Sequence, residues 1–100
     1  MIAIEIRVNG KLKATCGVDA LRQLMGVLRA RRPKEADGGF TCIIECMGVR
    51  PLSDDTDEVP KWATSRVALG DEVSFKIVEA QKADAPIDRQ AIHSHAPSDN

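Results

Sequence analysis

The first seventeen residues alternate between apolar and polar side chains, which is the pattern of strands with one buried face. The apolar positions of the first run are Ile2, Ile4, Ile6 and Val8, and those of the second are Leu12, Ala14 and Cys16. Asn9-Gly10 separates the two runs, and this dipeptide is a strong turn signal. The pattern therefore predicts a β-hairpin with one aliphatic face.

The register of this hairpin follows from its apolar face. A two-residue turn at Asn9-Gly10 would place isoleucines and lysines on the same face. A three-residue loop over residues 8–10 instead places Ile6 opposite Leu12, and all the apolar positions then share one face. Because the buried face specifies register, we predict the three-residue loop, with Gly10 in its left-handed position.

The next segment has apolar residues at helical spacing. Asp19 is a suitable N-cap and Pro33 ends a helix. The apolar positions i, i+3, i+4 and i+7 are Leu21, Leu24, Met25 and Leu28. This spacing predicts a helix over residues 20–32 with one apolar face.

Two more strands are predicted, over residues 40–47 and 72–79. In the first, Ile44 shares a face with Cys42 and Cys46, and in the second Val73, Phe75 and Ile77 point inward. Gly48 is predicted to turn the chain, and residues 49–52 form at most a short edge strand. Residues 33–39 and 53–66 are predicted loops. Residues 80–100 are predicted to form a flexible tail after a single domain over residues 1–79.

This element order resembles the β-grasp fold of ubiquitin and of bacterial sulfur-carrier proteins. Gly10, the stretch 45–52 (Glu-Cys-Met-Gly-Val-Arg-Pro-Leu) and the stretch 69–73 (Leu-Gly-Asp-Glu-Val) lie where that fold places its turns. The resemblance implies an α+β domain with one helix packed across a mixed four- to five-stranded sheet (ββαββ), in which the first and last strands are parallel neighbours. Residues 69–80 with Asp84-Ala85-Pro86 also resemble the end of small bacterial proteins of unassigned function.

The composition narrows the class of protein. Apolar residues make up 43% of the chain and aromatic residues 3%, so we expect an aliphatic core. The net charge of −1 argues against a dedicated nucleic-acid binder, which has a basic excess. No apolar run reaches the length of a membrane span or a signal peptide, so we expect a cytoplasmic protein with no membrane partner.

The candidate chemistry is sparse. Cys42 and Cys46, four residues apart on a strand, are separated by about 13 Å, too far for one zinc ion or for a disulfide. With Cys16, they are predicted to be small buried apolar side chains. Sulfur carriers use a C-terminal Gly-Gly, which does not occur after the last predicted strand. We therefore expect no metal, no cofactor and no enzymatic activity.

The expected function is binding to another protein. Its predicted surfaces are an open sheet face, formed by Ile43, Met47 and Val78, and the loop over residues 53–66. That loop contains an acidic run, Asp54, Asp55, Asp57 and Glu58, and the single tryptophan, Trp62. Trp62 is either an interface anchor or a cap on the core. The alternative function is an inhibitor or immunity-type protein that blocks an enzyme through its acidic loop.

Overall fold

The computed structural model describes residues 1–32, 39–62 and 65–93, and this part of the chain is all-β. Three parts of the predicted loops and tail lie outside the described residues: residues 33–38 of the loop predicted over 33–39, residues 63–64 of the loop predicted over 53–66, and residues 94–100 of the tail. The eight strands are β1 (Ile2–Val8), β2 (Lys11–Cys16), β3 (Gln23–Arg31), β4 (Thr41–Pro51), β5 (Thr56–Lys61), β6 (Ser65–Val67), β7 (Val73–Glu79) and β8 (Asp88–His93).

The strands form two antiparallel sheets. The first sheet has the order β2-β1-β7, so β1 lies in its centre. The second sheet has the order β3-β4-β5-β8, and the short β6 pairs with β4 beside β5. Strand β1 is central in the first sheet, β4 and β5 are the inner strands of the second, and β1 and β4 carry most of the buried apolar side chains.

The helix predicted over residues 20–32 is wrong, because this segment forms β3. Strand β3 pairs with β4 along its whole length, from Gln23 opposite Val49 to Arg31 opposite Thr41. Gly26 in the middle of the segment lowers its helix propensity by about 1 kcal/mol relative to alanine. Nine cross-strand pairs with β4 and the packing of Leu24 against the core override the helical spacing of the leucines.

The loss of the helix also removes the resemblance to the β-grasp fold and the predicted α+β class. In addition, β1 and β7 are neighbours as that resemblance implies, but they run antiparallel rather than parallel. The fold is two antiparallel sheets, with no helix in residues 1–32, 39–62 and 65–93.

The N-terminal hairpin is confirmed, but its predicted three-residue loop is wrong. Val8 pairs with Lys11, so the turn consists of Asn9 and Gly10, which both have positive φ (53° and 82°) as in a type I′ turn. A β-bulge shifts the register between Ile6 and Arg7. The bulge reconciles the short turn with an apolar inner face, and it turns Leu12 toward solvent, where it is exposed.

Strand β4 is longer than predicted, because Gly48 continues the strand instead of turning the chain. A Cβ atom at Gly48 would lie 2.6 Å from Leu21 Cδ2 and 2.9 Å from the backbone oxygen of Gln23. The glycine thus allows the segment leading into β3 to approach β4 closely. The predicted alternation of β4 is confirmed, since Ile44 and Cys46 are buried.

The two sheets pack face to face around one aliphatic core. The buried cluster takes residues from both sheets, namely Ile4, Ile6, Val8, Ala14, Cys16, Ile44, Cys46 and Trp62. Trp62 follows β5 and is the largest fully buried side chain. Residues 53–66 are therefore not one polar loop, because β5, Trp62 and the start of β6 lie within them.

Residues 80–87, here named the strap, connect the first sheet to the second. The backbone of Ala80 pairs with Met1, with hydrogen bonds of 2.8 and 2.9 Å. Asp84 then donates its N–H to the Thr15 carbonyl (2.8 Å), and Ile87 donates to the Lys61 carbonyl (2.8 Å). The strap leads into β8, which pairs with β5 in the segment where the sequence predicts a tail. Residues 88–93 form a strand because they pair with β5, although their own sequence does not predict a strand.

A hydrogen-bond network joins the hairpin turn to the start of β7. The Asn9 side chain donates to Asp71 Oδ1 (2.9 Å) and accepts from the Glu72 N–H (2.9 Å). Asp71 Oδ2 also accepts from the Ala68 N–H (2.7 Å), and these bonds lower the pKa of the Asp71 carboxyl below its ordinary value. The network fixes where β7 begins beside β1.

Candidate functional site

The candidate site begins with the inward-facing side chains of β7. Ile77 and Phe75 pair with Ile4 and Ile6 of β1, so they point to the same side of the first sheet as these two core residues. Yet Phe75 is 41% exposed and Ile77 is 67% exposed. Two large apolar side chains thus face the interior of the sandwich without being fully covered.

The second sheet provides the opposite wall through β3. The Phe75 ring lies directly on the backbone of Gly26, where a Cβ atom would be 3.1 and 3.2 Å from two ring carbons. Gly26 also approaches Ile4, whose Cδ1 lies 3.8 Å from the same position. Strands β3 and β7 are therefore the facing edge strands on one side of the sandwich.

Further apolar side chains lie along this side. Leu28 of β3 points inward like its partner Ile44, but it is 48% exposed. Ile2 of β1 is 59% exposed, and with Leu24 it lines a shallow depression of about 170 Å³. We name these five residues the open edge: Ile2, Leu24, Leu28, Phe75 and Ile77.

The backbone of the open edge is also available for pairing. Among the described residues, β3 pairs only with β4, and β7 pairs only with β1. Each strand therefore presents a row of N–H and C=O groups at the sheet margin. On the opposite side of the first sheet, by contrast, Asp84 of the strap pairs with the backbone of Thr15.

Strand β3 and the residue that follows it carry three arginines near the open edge. Arg29 forms an ion pair with Glu45 of β4. Arg31 and Arg32 are exposed, and neither forms an ion pair within residues 1–32, 39–62 and 65–93. Two exposed cations therefore lie at one end of β3.

A second concavity lies beside the strap. It has a volume of about 390 Å³, and its lining includes Arg50, Arg89, Asp19 and Asp84. Both arginines approach Glu58 Oε1, at 3.8 Å for Arg50 and 3.0 Å for Arg89. The charges of this cleft largely neutralise one another.

The structure separates the three apolar residues predicted to form one open face. Ile43 and Met47 alternate with the buried Ile44 and Cys46, so they lie on the outer face of the second sheet. Val78 lies on the outer face of the first sheet, where it pairs with Ala3. These two faces are on opposite sides of the molecule, and all three residues are only half-exposed.

The predicted acidic run is also divided. Asp54 and Asp55 are exposed in the turn between β4 and β5, and Asp55 accepts hydrogen bonds from neighbouring side chains. Asp57 is 7% exposed and lies 4.0 Å from Arg22. Glu58 is engaged by its two arginines. Only the first two carboxylates are therefore presented to solvent.

Trp62 belongs to the core, which decides between the two roles that the sequence left open. It is 2% exposed, and its indole Nε1 donates a 2.7 Å hydrogen bond to the Asp84 carbonyl. Its backbone N–H donates to the Cys46 carbonyl (3.0 Å). Trp62 thus holds the strap against the second sheet and is not available to a partner.

Phe75 and Ile77 were not predicted to be site residues from the sequence. The alternation of β7 correctly predicts that both side chains point inward. It does not predict which strand of the second sheet packs over them. Within the described residues, no three His, Cys, Asp or Glu side chains are grouped as metal ligands. The described residues also include no helix with the length and apolarity needed to span a bilayer.

Comparison with protein-family models, with curated proteins and with solved structures gave no match.

Proposed function

We propose that this protein is a non-enzymatic binding module that recognises another protein at the open edge. The observation that carries the proposal is the exposure of Phe75 and Ile77, which face the sandwich interior but are incompletely covered by β3. Contiguous apolar side chains beside free strand margins are typical of protein-interaction surfaces. The partner segment is an extended strand with alternating apolar side chains.

Strand addition matches both properties of the open edge. A partner strand paired with β7 would continue the first sheet and satisfy backbone groups at its margin. Its alternate side chains would then cover Ile77 and the exposed part of Phe75. Covering these two residues contributes about 1–2 kcal/mol each, from the general value of about 25 cal/mol per Å² of apolar surface.

The charges near the open edge predict a second property of the partner segment, an acidic residue beside its apolar side chains. Arg31 and Arg32 lie at one end of β3 without an ion pair among the described residues. An acidic residue flanking the apolar segment would meet these cations. Such rim charges mainly affect the association rate and its dependence on salt.

The acidic-loop inhibitor is less well supported by the geometry. Asp57 and Glu58 are held by Arg22, Arg50 and Arg89, so the predicted acidic anchor is reduced to Asp54 and Asp55. Neutralising these two aspartates should leave partner binding nearly unchanged under our proposal. The inhibitor alternative requires that the same change abolish binding.

Site-specific photo-crosslinking tests the proposal. A photoreactive phenylalanine analogue replaces Ile77 in the full chain, and in a matched control it replaces Leu69, an apolar residue that is 82% exposed in a turn. After illumination in the cells that produce the protein, adducts are identified by mass spectrometry. We expect a specific adduct with another protein at position 77 and none at position 69.

The identified partner is then titrated against Ile77→Lys and Leu69→Lys. Both residues are well exposed, so neither substitution should lower stability by more than about 0.5 kcal/mol. We expect Ile77→Lys to weaken binding about tenfold or more and Leu69→Lys to have no effect. Equal adducts at both positions, no adduct at either, or adducts only with a second copy of this chain would contradict the proposal.

A further inference from the structure

A shallow pocket lies at one end of the open edge, beside the first residue of β1. It has a volume of about 170 Å³, and we name it the end pocket for its five lining residues: Ile2, Leu21, Arg22, Gln23 and Leu24. Ile2 and Leu24 also belong to the open edge, so the pocket continues the same apolar surface. A cavity of about 150 Å³ lined by aliphatic side chains can hold a benzene molecule. The end pocket therefore has room for one aliphatic side chain.

The connection between β2 and β3 crosses the sandwich at the end pocket. Residues 17–22 lead there from the first sheet to the second. A Cβ atom at Gly17 would lie 3.0 Å from the Ile2 carbonyl oxygen, and one at Gly48 would lie 2.6 Å from Leu21 Cδ2. The connection is thus packed against β1 where it begins and against β4 where it ends. An extended segment that follows the open edge meets this connection at the end pocket.

Contacts between the sheets give the direction of β3 relative to β7. Leu24 lines the end pocket with Ile2, and Ile2 pairs with Glu79, the last residue of β7. Further along β3, Gly26 lies against Phe75, which is nearer the start of β7. Strands β3 and β7 therefore run in opposite directions. The end pocket lies where β7 ends, and the last residues of β3 lie toward the start of β7.

Arg22 provides a cation at the end pocket. Its side chain is 62% exposed, and its Nη1 lies 4.0 Å from Asp57 Oδ1. A hydrogen bond between a guanidinium and a carboxylate measures about 2.7–2.9 Å, so this contact leaves the donors of Arg22 unused. The Arg22 backbone is fixed, because its N–H donates to the Val49 carbonyl (2.7 Å). The planar guanidinium can therefore donate two parallel hydrogen bonds to another carboxylate.

We infer that the open edge binds the C-terminal segment of its partner protein, with the last side chain in the end pocket and the terminal carboxylate on Arg22. This inference rests on the proposed function, because it specifies which part of a partner occupies the open edge. Charge complementarity carries it, since the Arg22 cation lies where a bound segment meets the connection between the sheets. The bound segment runs parallel to β7, and its C-terminus lies at the end of that strand.

The length of β3 sets the spacing between the two charged groups of the partner segment. From Leu24 to Arg31 the strand advances by about seven residues, or about 23 Å at about 3.3 Å per residue. An acidic residue that meets Arg31 and Arg32 therefore lies about seven residues before the terminal carboxylate. An internal segment of a partner has no carboxylate for Arg22 and no fixed distance to its chain end.

Selection from two peptide libraries tests the inference on the full chain. Both libraries display the same random segments of about ten residues. The segments end in a free carboxylate in the first library and continue into a constant glycine-serine tail in the second. Segments are kept only if they bind the wild type and not Ile77→Lys. We expect enrichment in the first library alone, with an aliphatic last residue and an acidic residue about seven positions earlier.

The most enriched peptide is then prepared as a free acid and as a C-terminal amide, and the Kd of each is measured by fluorescence anisotropy. On the wild type, the amide should bind about tenfold or more weakly, because it cannot accept the charge-assisted hydrogen bonds of Arg22. On Arg22→Gln, the acid and the amide should bind equally. Arg66→Gln is the matched control at an exposed arginine of β6, and it should keep the full difference.

The double variant Asp57→Asn/Arg22→Gln provides a second measurement if Arg22→Gln fails to fold. Asp57 is 7% exposed, and the double variant removes this carboxylate together with its nearby cation. It should bind the acid and the amide equally, as expected for Arg22→Gln. A preference for the acid that persists in either variant would overturn the inference, because another group would then hold the carboxylate.

The two libraries distinguish failure of this inference from failure of the proposed function. Equal enrichment in both libraries, with binding that is lost in Ile77→Lys, would overturn the inference and leave the open edge as the binding surface. The absence of any binder that depends on Ile77 from both libraries would overturn the inference and the proposed function together.

Discussion

The strap should depend on Trp62, and the substitution Trp62→Phe tests this dependence. The replacement keeps an aromatic ring in the core but removes the indole N–H that binds the Asp84 carbonyl at 2.7 Å. Losing the donor to a partly buried carbonyl costs about 1–3 kcal/mol. Phenylalanine is also about 40 Å³ smaller, and at about 24 cal/mol per Å³ the cavity adds about 1 kcal/mol.

Together these effects predict that Trp62→Phe lowers the free energy of unfolding by about 2–4 kcal/mol, a large part of the roughly 5–15 kcal/mol typical of a domain. The change is measured by urea denaturation monitored by far-ultraviolet circular dichroism. This signal comes from the backbone, so it can be used for a variant that lacks the tryptophan. Leu69→Ala, at a residue that is 82% exposed, is the control and should change stability by less than about 0.5 kcal/mol.

Amide hydrogen exchange shows whether the loss is located at the strap. The N–H groups of Asp84 and Ile87 donate to Thr15 and Lys61, and both amides should exchange faster in Trp62→Phe than in the wild type. Destabilisation below about 1 kcal/mol, or unchanged exchange at both amides, would refute the role assigned to Trp62.

Three further predictions concern the backbone and one carboxylate. Gly48→Ala should lower stability by about 1–3 kcal/mol in urea denaturation, because the new Cβ would lie 2.6 Å from Leu21 Cδ2, whereas Gly39→Ala, with open space around it, should be neutral or slightly stabilising. Gly10→Ala should cost about 1–2 kcal/mol in the same assay, because φ at that residue is +82°, and a cost near zero would contradict the two-residue turn. The pKa of Asp71 is lowered by the Ala68 N–H, so its contribution to stability is present above pH 3.8 and lost as the pH falls through the lower folded value. Asp71→Asn should therefore weaken the pH dependence of the melting temperature below pH 4, and an unchanged profile would contradict the network.

The alternating strands were the part of the fold that the sequence predicted best. Ile4 and Ile6, like Ile44 and Cys46, are buried at period two, and both pairs form the core. Successive side chains of a strand point to opposite faces, so a strand with one buried face has an apolar residue at every second position. This pattern can be recognised without knowing which strand pairs with it. The hairpin was predicted for the same reason, but the β-bulge between Ile6 and Arg7 was not.

The helix prediction failed because the apolar residues of this segment fit both the spacing of a helix and the alternation of a strand. Leu21, Leu24 and Leu28 lie at helical spacing, but Leu24 and Leu28 also alternate about Gly26 as in a strand. Pairing with β4 decides between the two periods, and that partner begins ten residues after β3 ends. The same dependence on a distant partner explains β8, a mostly polar segment that becomes a strand through β5.

The candidate site could be predicted only in part. Phe75 and Ile77 were correctly assigned to the inward face of their strand, but their exposure depends on how β3 lies across β7. Ile43, Met47 and Val78 looked equivalent as outward apolar residues, and only the division into two sheets separates them. Cys16 and Cys46 are distant in sequence, and their place in one buried cluster also depends on how the two sheets pack.

Residues 23–31 form a strand that pairs with β4 and brings Gly26 beneath Phe75, and the open edge depends on this arrangement. Nuclear Overhauser spectroscopy of the labelled full chain detects these contacts. We expect cross-strand contacts between Gly26 and Cys46, contacts between the Phe75 ring and the Gly26 α-protons, and strand-type carbon shifts over residues 23–31. Helical shifts over residues 20–32, with sequential amide contacts and no contact between Phe75 and Gly26, would contradict the fold and the open edge together.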